Sequence, residues 1–164
     1  MKRNGFTLAE ILIYVSVLTI VFLAVSSFLT WSIKTSAKAT AIREATDNGR
    51  RAMEIMTREI RKAKGIYTPT STSTQLSLET KISTFVDFYL CGAPTSAIYL
   101  KKESQNPIAI TSESVTVRSL VFTQISTTTP SVRIQLGLDY KTQAKLQEYQ
   151  ASVDLTSTVS LRNY

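Results

Sequence analysis

The sequence predicts an α+β protein: one long N-terminal helix packed on a C-terminal antiparallel β-sheet domain. Three observations predict it. An apolar run free of charge lies close to the start, a proline-free stretch with helical spacing follows it, and everything after Gly65 breaks into short β-branched and aromatic runs separated by turn signals. At 164 residues there is room for one ordinary domain and one additional element.

The apolar run extends from Ile11 to Ile33. At a helical rise of 1.5 Å per residue it spans roughly 35 Å, enough to cross the hydrocarbon core of a bilayer with some tilt. Lys2 and Arg3 precede it, which by the positive-inside bias places the N-terminus in the cytoplasm and the remaining chain outside. Trp31 near the far end suits the membrane interface. A cleavable secretory signal is one reading, with Ala24-Val25-Ser26 as a small-residue cleavage site, but the apolar stretch exceeds the usual 7–15-residue core and continues past that site. A plain membrane anchor is the second reading. Neither accounts for Glu10, a carboxylate at the edge of the run that calls for a partner or a purpose.

The residues around Glu10 read Gly5-Phe6-Thr7-Leu8-Ala9-Glu10, behind a short basic leader and directly before the apolar run. This resembles the class III signal of type IV prepilins and type II secretion pseudopilins, G-F-T-L-x-E, at every fixed position. The resemblance implies a type IV pilin fold and a sequence of events. A membrane-embedded prepilin peptidase cuts between Gly5 and Phe6 on the cytoplasmic side and methylates the new amino terminus of Phe6, and the apolar segment is retained. Residues 1–5 are then a leader and 6–33 a helix serving as membrane span and fibre core. Physically, Gly5 lets the backbone approach a catalytic site without a side chain in the way. Glu10 is a negative charge in an apolar stalk, and the terminal amine of a neighbouring subunit is its natural partner. Such a pair in low dielectric is directional enough to set axial register between packed helices.

Residues 34–64 are expected to continue as an amphipathic helix. Ile42, Ala45, Gly49, Ala52, Met56, Ile60 and Ala63 recur at helical spacing, with Met53 flanking, while Arg43, Asp47, Arg50, Arg51, Glu54, Arg58 and Arg61 take the other positions. Gly65 is the expected stop. If the helix is continuous, Phe6 to Lys64 makes one rod of roughly 90 Å. Lys34–Lys64 carries nine cations against four carboxylates, and Gly65–Tyr164 eight against seven, so the formal excess of +7 sits on the leader and stem. Stem charges of this kind suit anionic headgroups, acidic faces of neighbouring subunits, or a solvated helix face with i,i+4 pairs such as Glu54 to Arg58.

Residues 65–164 form the expected β-rich head. Thr68 to Thr74 reads as a loop. Strands are expected at Gln75–Glu79, Phe85–Leu90, Ala97–Lys101, Pro107–Thr111, Val115–Ile125, Ser131–Tyr140 and Tyr149–Arg162, with Val115–Ile125 and Ser131–Tyr140 as antiparallel neighbours. In the last run Val153, Leu155, Val159 and Leu161 share one face only if one polar residue points inward. Lys141–Gln147 reads as a polar turn or a single helical turn.

The composition excludes whole classes of chemistry. There is no histidine and one cysteine, so histidine-based acid/base catalysis, His-containing zinc sites and an intrachain disulfide are ruled out. No set of residues can be named as acid, base and nucleophile, so no catalytic residue and no enzyme activity are predicted, and no cofactor. Asp87, Asp139, Asp154 and Glu148 are oxygen donors of the type calcium takes, but no D-x-D-x-D-G loop is present and no metal site is predicted. Cys91 is expected as a buried or half-buried small apolar residue at a strand end. The tyrosines read as sheet-face packing, with Tyr67, Tyr149 and Tyr164 as candidates for a subunit interface. The head lacks a basic stripe with interleaved aromatics, so no nucleic-acid partner is predicted.

The arginine-rich stretch Arg50–Ala63 and the strand-rich head resemble minor subunits, the J-type pseudopilins and W-type minor pilins. Major pilins usually have a helix breaker in the apolar segment and a disulfide-bounded loop. Here the first proline is Pro69, and the lone Cys91 closes no loop. The resemblance implies a structural subunit of the cytoplasmic membrane, later of a pilus or a secretion or DNA-uptake pseudopilus, with a place at the fibre tip. Its partners are prepilin peptidase and other pilin-type subunits. The alternative is a membrane-tethered or secreted β-rich binding module in which Glu10 is incidental.

Overall fold

The absence of proline before residue 69 allows a single uninterrupted helix, and the computed structural model contains one: α1, Leu8–Lys62, 55 residues. Residues 7–68, 71–82, 84–92, 96–126, 130–141 and 150–162 are described. The chain divides into two compact units at Ala37/Lys38.

In the first unit the helix is exposed on all sides: Leu8, Leu18, Phe22 and Trp31 are each more than half exposed. The hydroxyls of Ser16, Thr19 and Thr30 bond within the helix. The hydroxyl of Ser16 donates to the carbonyl of Ile13 at 2.8 Å, Thr19 to Val15 at 2.7 Å and Thr30 to Ser26 at 2.9 Å. Back-bonding of this kind leaves no hydroxyl donor of these residues facing an apolar surrounding.

In the second unit the helix buries a stripe of Ala41, Ala45, Gly49, Ala52, Met53, Met56 and Ile60. The expected face is therefore correct except at its first member. Ile42 is 44% exposed and Ala41, one residue earlier, is buried, so the stripe begins with a small residue that admits close approach. Gly49 shows how close that approach is. A Cβ there would stand 2.6 Å from Leu155 Cδ1 and 3.1 Å from Leu138 Cδ1.

The helix ends at Lys62, three residues before the expected stop. The amide of Ala63 is shared between the carbonyls of Glu59 (3.1 Å) and Ile60 (3.2 Å), and Lys64 then donates to Glu79 O at 2.8 Å. Gly65 is not a helix cap but the first residue of a strand, so Ala63 and Lys64 alone carry the chain from helix to sheet.

Two antiparallel sheets follow. The first is a five-stranded meander in sequence order: β1 (Gly65–Ile66), β2 (Leu76–Glu79), β3 (Phe85–Cys91), β4 (Ala97–Lys102) and β5 (Ile108–Ala109). The second has three strands: β6 (Val115–Ser126), β7 (Ser131–Tyr140) and β8 (Ser152–Ser160). The expected Ser131–Tyr140 coincides with β7, and Val115–Ile125 is one residue short of β6. Pro107–Thr111 shrinks to the two residues of β5, Tyr149–Arg162 to β8, and β1 was not expected. Tyr149, Tyr164 and most of the Lys141–Gln147 segment lie outside the described residues.

Inward residues alternate along β7, with Val132, Ile134, Leu136 and Leu138 buried and Arg133 and Gln135 exposed, while the outward Gly137 is buried as well. In β8 the half-buried Ser157 is the single polar residue on the inward face, between Leu155 and Val159, as the alternation required. Strand β6 changes phase: Val115 and Val117 point inward, then Leu120 and Phe122. A register shift between Val117 and Ser119 makes this possible, leaving Arg118 as the extra residue of a bulge.

One core joins all three layers. Met56 and Ile60 of the helix, Leu78, Phe88 and Ile98 of the first sheet, and Leu120, Ile134, Leu136 and Leu138 of the second form a single cluster. Polar links fix the helix against the first sheet and its loops. Glu59, only 15% exposed at its side chain, accepts from Lys102 Nζ at 3.3 Å, and Asn48 Oδ1 accepts from the amide of Ser112 at 3.0 Å.

Candidate functional site

The sequence directs attention to the start of the chain. Gly5 and Phe6 lie outside the described residues, and description begins at Thr7. Thr7 is the N-cap of α1. Its Oγ1 accepts from the amide of Glu10 at 3.3 Å, and its carbonyl accepts from the amides of Glu10 (3.1 Å) and Ile11 (3.2 Å). Glu10 therefore occupies the third position of the helix, in its first turn, where a carboxylate meets the positive end of the helix dipole. The sequence Thr7-Leu8-Ala9-Glu10 has the Thr-x-x-Glu spacing of a capping box. That signal stood in the sequence beside the fixed positions of the motif, and it gives Thr7 a structural role of its own.

Glu10 is half-buried, while Ile11 through Val25 are exposed without exception. The helix is long and apolar enough to cross a membrane. An acidic group thus stands at the first turn of an otherwise uncharged and uncovered apolar surface. Such a surface is stable only when lipid or other apolar helices cover it, and in either setting a carboxylate gains from a cationic partner.

The remaining sequence candidates are dispersed by the fold. Asp139 and Asp154 both approach Arg118, the bulged residue of β6. Its Nη2 donates to Asp154 Oδ1 at 2.5 Å, and its Nε stands 3.9 Å from Asp139 Oδ1. The hydrogen bond to Asp154, and then the charges of Asp139 and Asp154, push the Arg118 guanidinium further above its usual range. Gly137 on the middle strand makes the pairing possible, since a Cβ there would fall 2.9 Å from Asp154 Oδ1 and 3.3 Å from Arg118 Nε. Asp87 is on the other sheet, directly opposite Lys101, and Glu148 lies outside the described residues. Among the described residues no three His, Cys, Asp or Glu side chains are grouped to hold a metal ion.

Cys91 is exposed rather than buried. It shares its parity with Phe85, Asp87 and Tyr89, the outward positions of β3, while Val86 and Phe88 point into the core. Tyr67 is 38% exposed, and its ring lies 4.8 Å from that of Phe85.

Comparison with known proteins bears on the N-terminus alone. No curated protein and no solved structure matches the chain. Residues 1–26 match the family described as the prokaryotic N-terminal methylation motif, a stretch that takes in Gly5, Phe6, Glu10 and the apolar run as far as Ser26. The chain carries a prepilin-type N-terminus.

Proposed function

We propose that this chain is the precursor of a minor pilin or pseudopilin, a structural subunit rather than an enzyme. Prepilin peptidase removes residues 1–5 by cutting between Gly5 and Phe6, and Phe6 becomes N-methylated. The mature helix then anchors the subunit in the cytoplasmic membrane and afterwards packs among the helices of other pilin-type subunits. The methylation motif at residues 1–26 is the observation that carries this reading. The half-buried Glu10 at the head of an uncovered apolar helix supports it, because a fibre of packed helices covers that surface and the methylated amine of a neighbour offers the carboxylate a charge partner. The separate packed head supports a role in contacts with neighbouring subunits.

The test is the mature N-terminus, read by intact-mass and peptide mass spectrometry of chain purified from its own membranes. N-methyl-Phe6 is expected. In the same cells Glu10→Ala is expected to be cleaved normally and to lose incorporation into fibres. An intact Met1 would instead make the chain a tethered module, and a start near Ser27 a secreted one.

A further inference from the structure

The two sheets present four edges, and three of them are blunted. The first sheet ends in β1 and β5, of two residues each. The β6 edge is interrupted by register shifts after Val117 and Gln124, and loops seal it: Val117 donates to Ser96 O at 2.9 Å and Phe122 to Ser73 O at 2.8 Å. Short strands, bulges and covering loops are the ordinary devices that keep an edge from pairing with another chain.

Among the described residues the β8 edge has none of them. Its nine residues pair with β7 in unbroken register from Ser131↔Ser160 to Asp139↔Ser152, over about 30 Å. Leu161 donates to Pro130 O and Tyr140 to Ala151 O, which fixes the phase: odd-numbered residues direct their backbone groups at β7. Ser152, Asp154, Thr156, Thr158 and Ser160 therefore direct theirs away from it. All five are exposed, and among the described residues no hydrogen bond covers their outward backbone groups. The strand contains no proline, glycine or lysine.

We propose that β8 is a self-pairing edge, joining two copies of this chain antiparallel about Thr156 into a six-stranded sheet. The occupant is argued from the strand itself. Ser-Val-Asp-Leu-Thr-Ser-Thr-Val-Ser is nearly palindromic about Thr156. In that register Ser152 faces Ser160 of the second copy and Val153 faces Val159, while Asp154 faces Thr158 and Leu155 faces Ser157. The two Asp154 carboxylates stay apart, each held by its own Arg118. A slip that set them opposite each other is disfavoured by like charge. The seam also completes burial. Val153 and Leu155 are only half-buried at the open edge, whereas Leu136 and Leu138 opposite them on β7 are fully buried. This pairing uses the head alone and stands whether or not Phe6 is processed.

The test is cysteine crosslinking of the full-length chain in membranes, in a Cys91→Ser background. A residue facing itself across a hydrogen-bonded antiparallel pair has its Cα about 5.5 Å from its mate, within disulfide range. Thr156→Cys is expected to give a homodimer on oxidation at least tenfold above Ser152→Cys or Ser160→Cys alone. Co-expressed Ser152→Cys and Ser160→Cys chains are expected to crosslink to each other. Adding Thr156→Pro is expected to abolish that crosslink while leaving the head folded by circular dichroism, since the proline replaces only an outward N–H. No dimer from Thr156→Cys, equal dimer at all three positions, or crosslinking of Thr156→Cys to a different protein would each overturn the proposal.

Discussion

The two ends of α1 are one continuous helix built from two alphabets. From Ile11 to Ile33 the large side chains are Ile, Leu, Val and aromatic residues, and they surround the helix on all sides. From Ala41 to Ile60 the buried stripe is mostly Ala and Gly, narrow, and opposed by charged residues. The contrast teaches how each surface is satisfied. A helix that packs within its own chain needs one close-fitting face, because sheets press on it from one side. A helix apolar all round needs an apolar environment all round. The second half is held by the head. The first half depends on what lies outside the chain.

The largest test of this contrast is a pair of truncations. Met56 is fully buried and belongs to the core that joins helix and sheets. Met56→Ala is expected to lower the unfolding free energy of the head by about 2–5 kcal/mol. Leu18→Ala, in the exposed half, is expected to leave it unchanged, as read by denaturant unfolding in detergent micelles. Equal losses from both would mean that the first half is packed on the head after all. A sharper and smaller test is small-to-large substitution. Gly49→Val forces branched carbon against Leu155 and Leu138, at a cost of about 1–3 kcal/mol for overpacking, partly offset by about 0.5–1 kcal/mol from removing a helical glycine. A net loss of about 1 kcal/mol is expected. Ala24→Val, in the first half, is expected to change nothing in the head.

Much of this contrast was legible in the sequence because it rests on periodicity and charge, which act locally. The span, the amphipathic stretch and the bounds of β7 follow from such patterns. The misreadings have physical causes. Ile42 was placed on the buried face by its spacing to Ala45 and Gly49, but it is exposed and the smaller Ala41 is buried one residue earlier. Cys91 was read from its residue type, whereas the alternation Phe85, Asp87, Tyr89, Cys91 already placed it on the outer side of β3. The bulge at Arg118 was written in the switch of apolar residues from Val115 and Val117 to Leu120 and Phe122. Strands β1 and β5 have only two residues each, and partners define them more than their own sequence does. At the candidate site, Gly5, Phe6 and Glu10 were legible as a motif, and the capping role of Thr7 was written beside them in the Thr-x-x-Glu spacing, masked by the motif that shares its residues.

The smallest expected effect compares the two termini of the helix. At its C-terminus the sheet takes over: Lys64 donates to Glu79 O, and Lys64 Nζ stands 3.6 Å from Glu79 Oε1. At its N-terminus Thr7 serves as the cap, through a side-chain bond to the amide of Glu10. Removing an N-cap costs about 1 kcal/mol, and the loss falls on the first turn, which the cap closes. Thr7→Ala is therefore expected to speed hydrogen exchange at the Glu10 amide by about fivefold in micelles, the factor that about 1 kcal/mol of local opening supplies. Thr7→Ser, which keeps the oxygen, is expected to exchange like the parent chain, and amides in the last turn are expected to be unaffected by either change. If the Glu10 amide is equally protected in Thr7→Ala, the first turn is held by something other than its cap. Glu10 would then owe its place in the helix to the surrounding bilayer or a neighbouring helix, and the dependence of this half on its surroundings would reach its first residue.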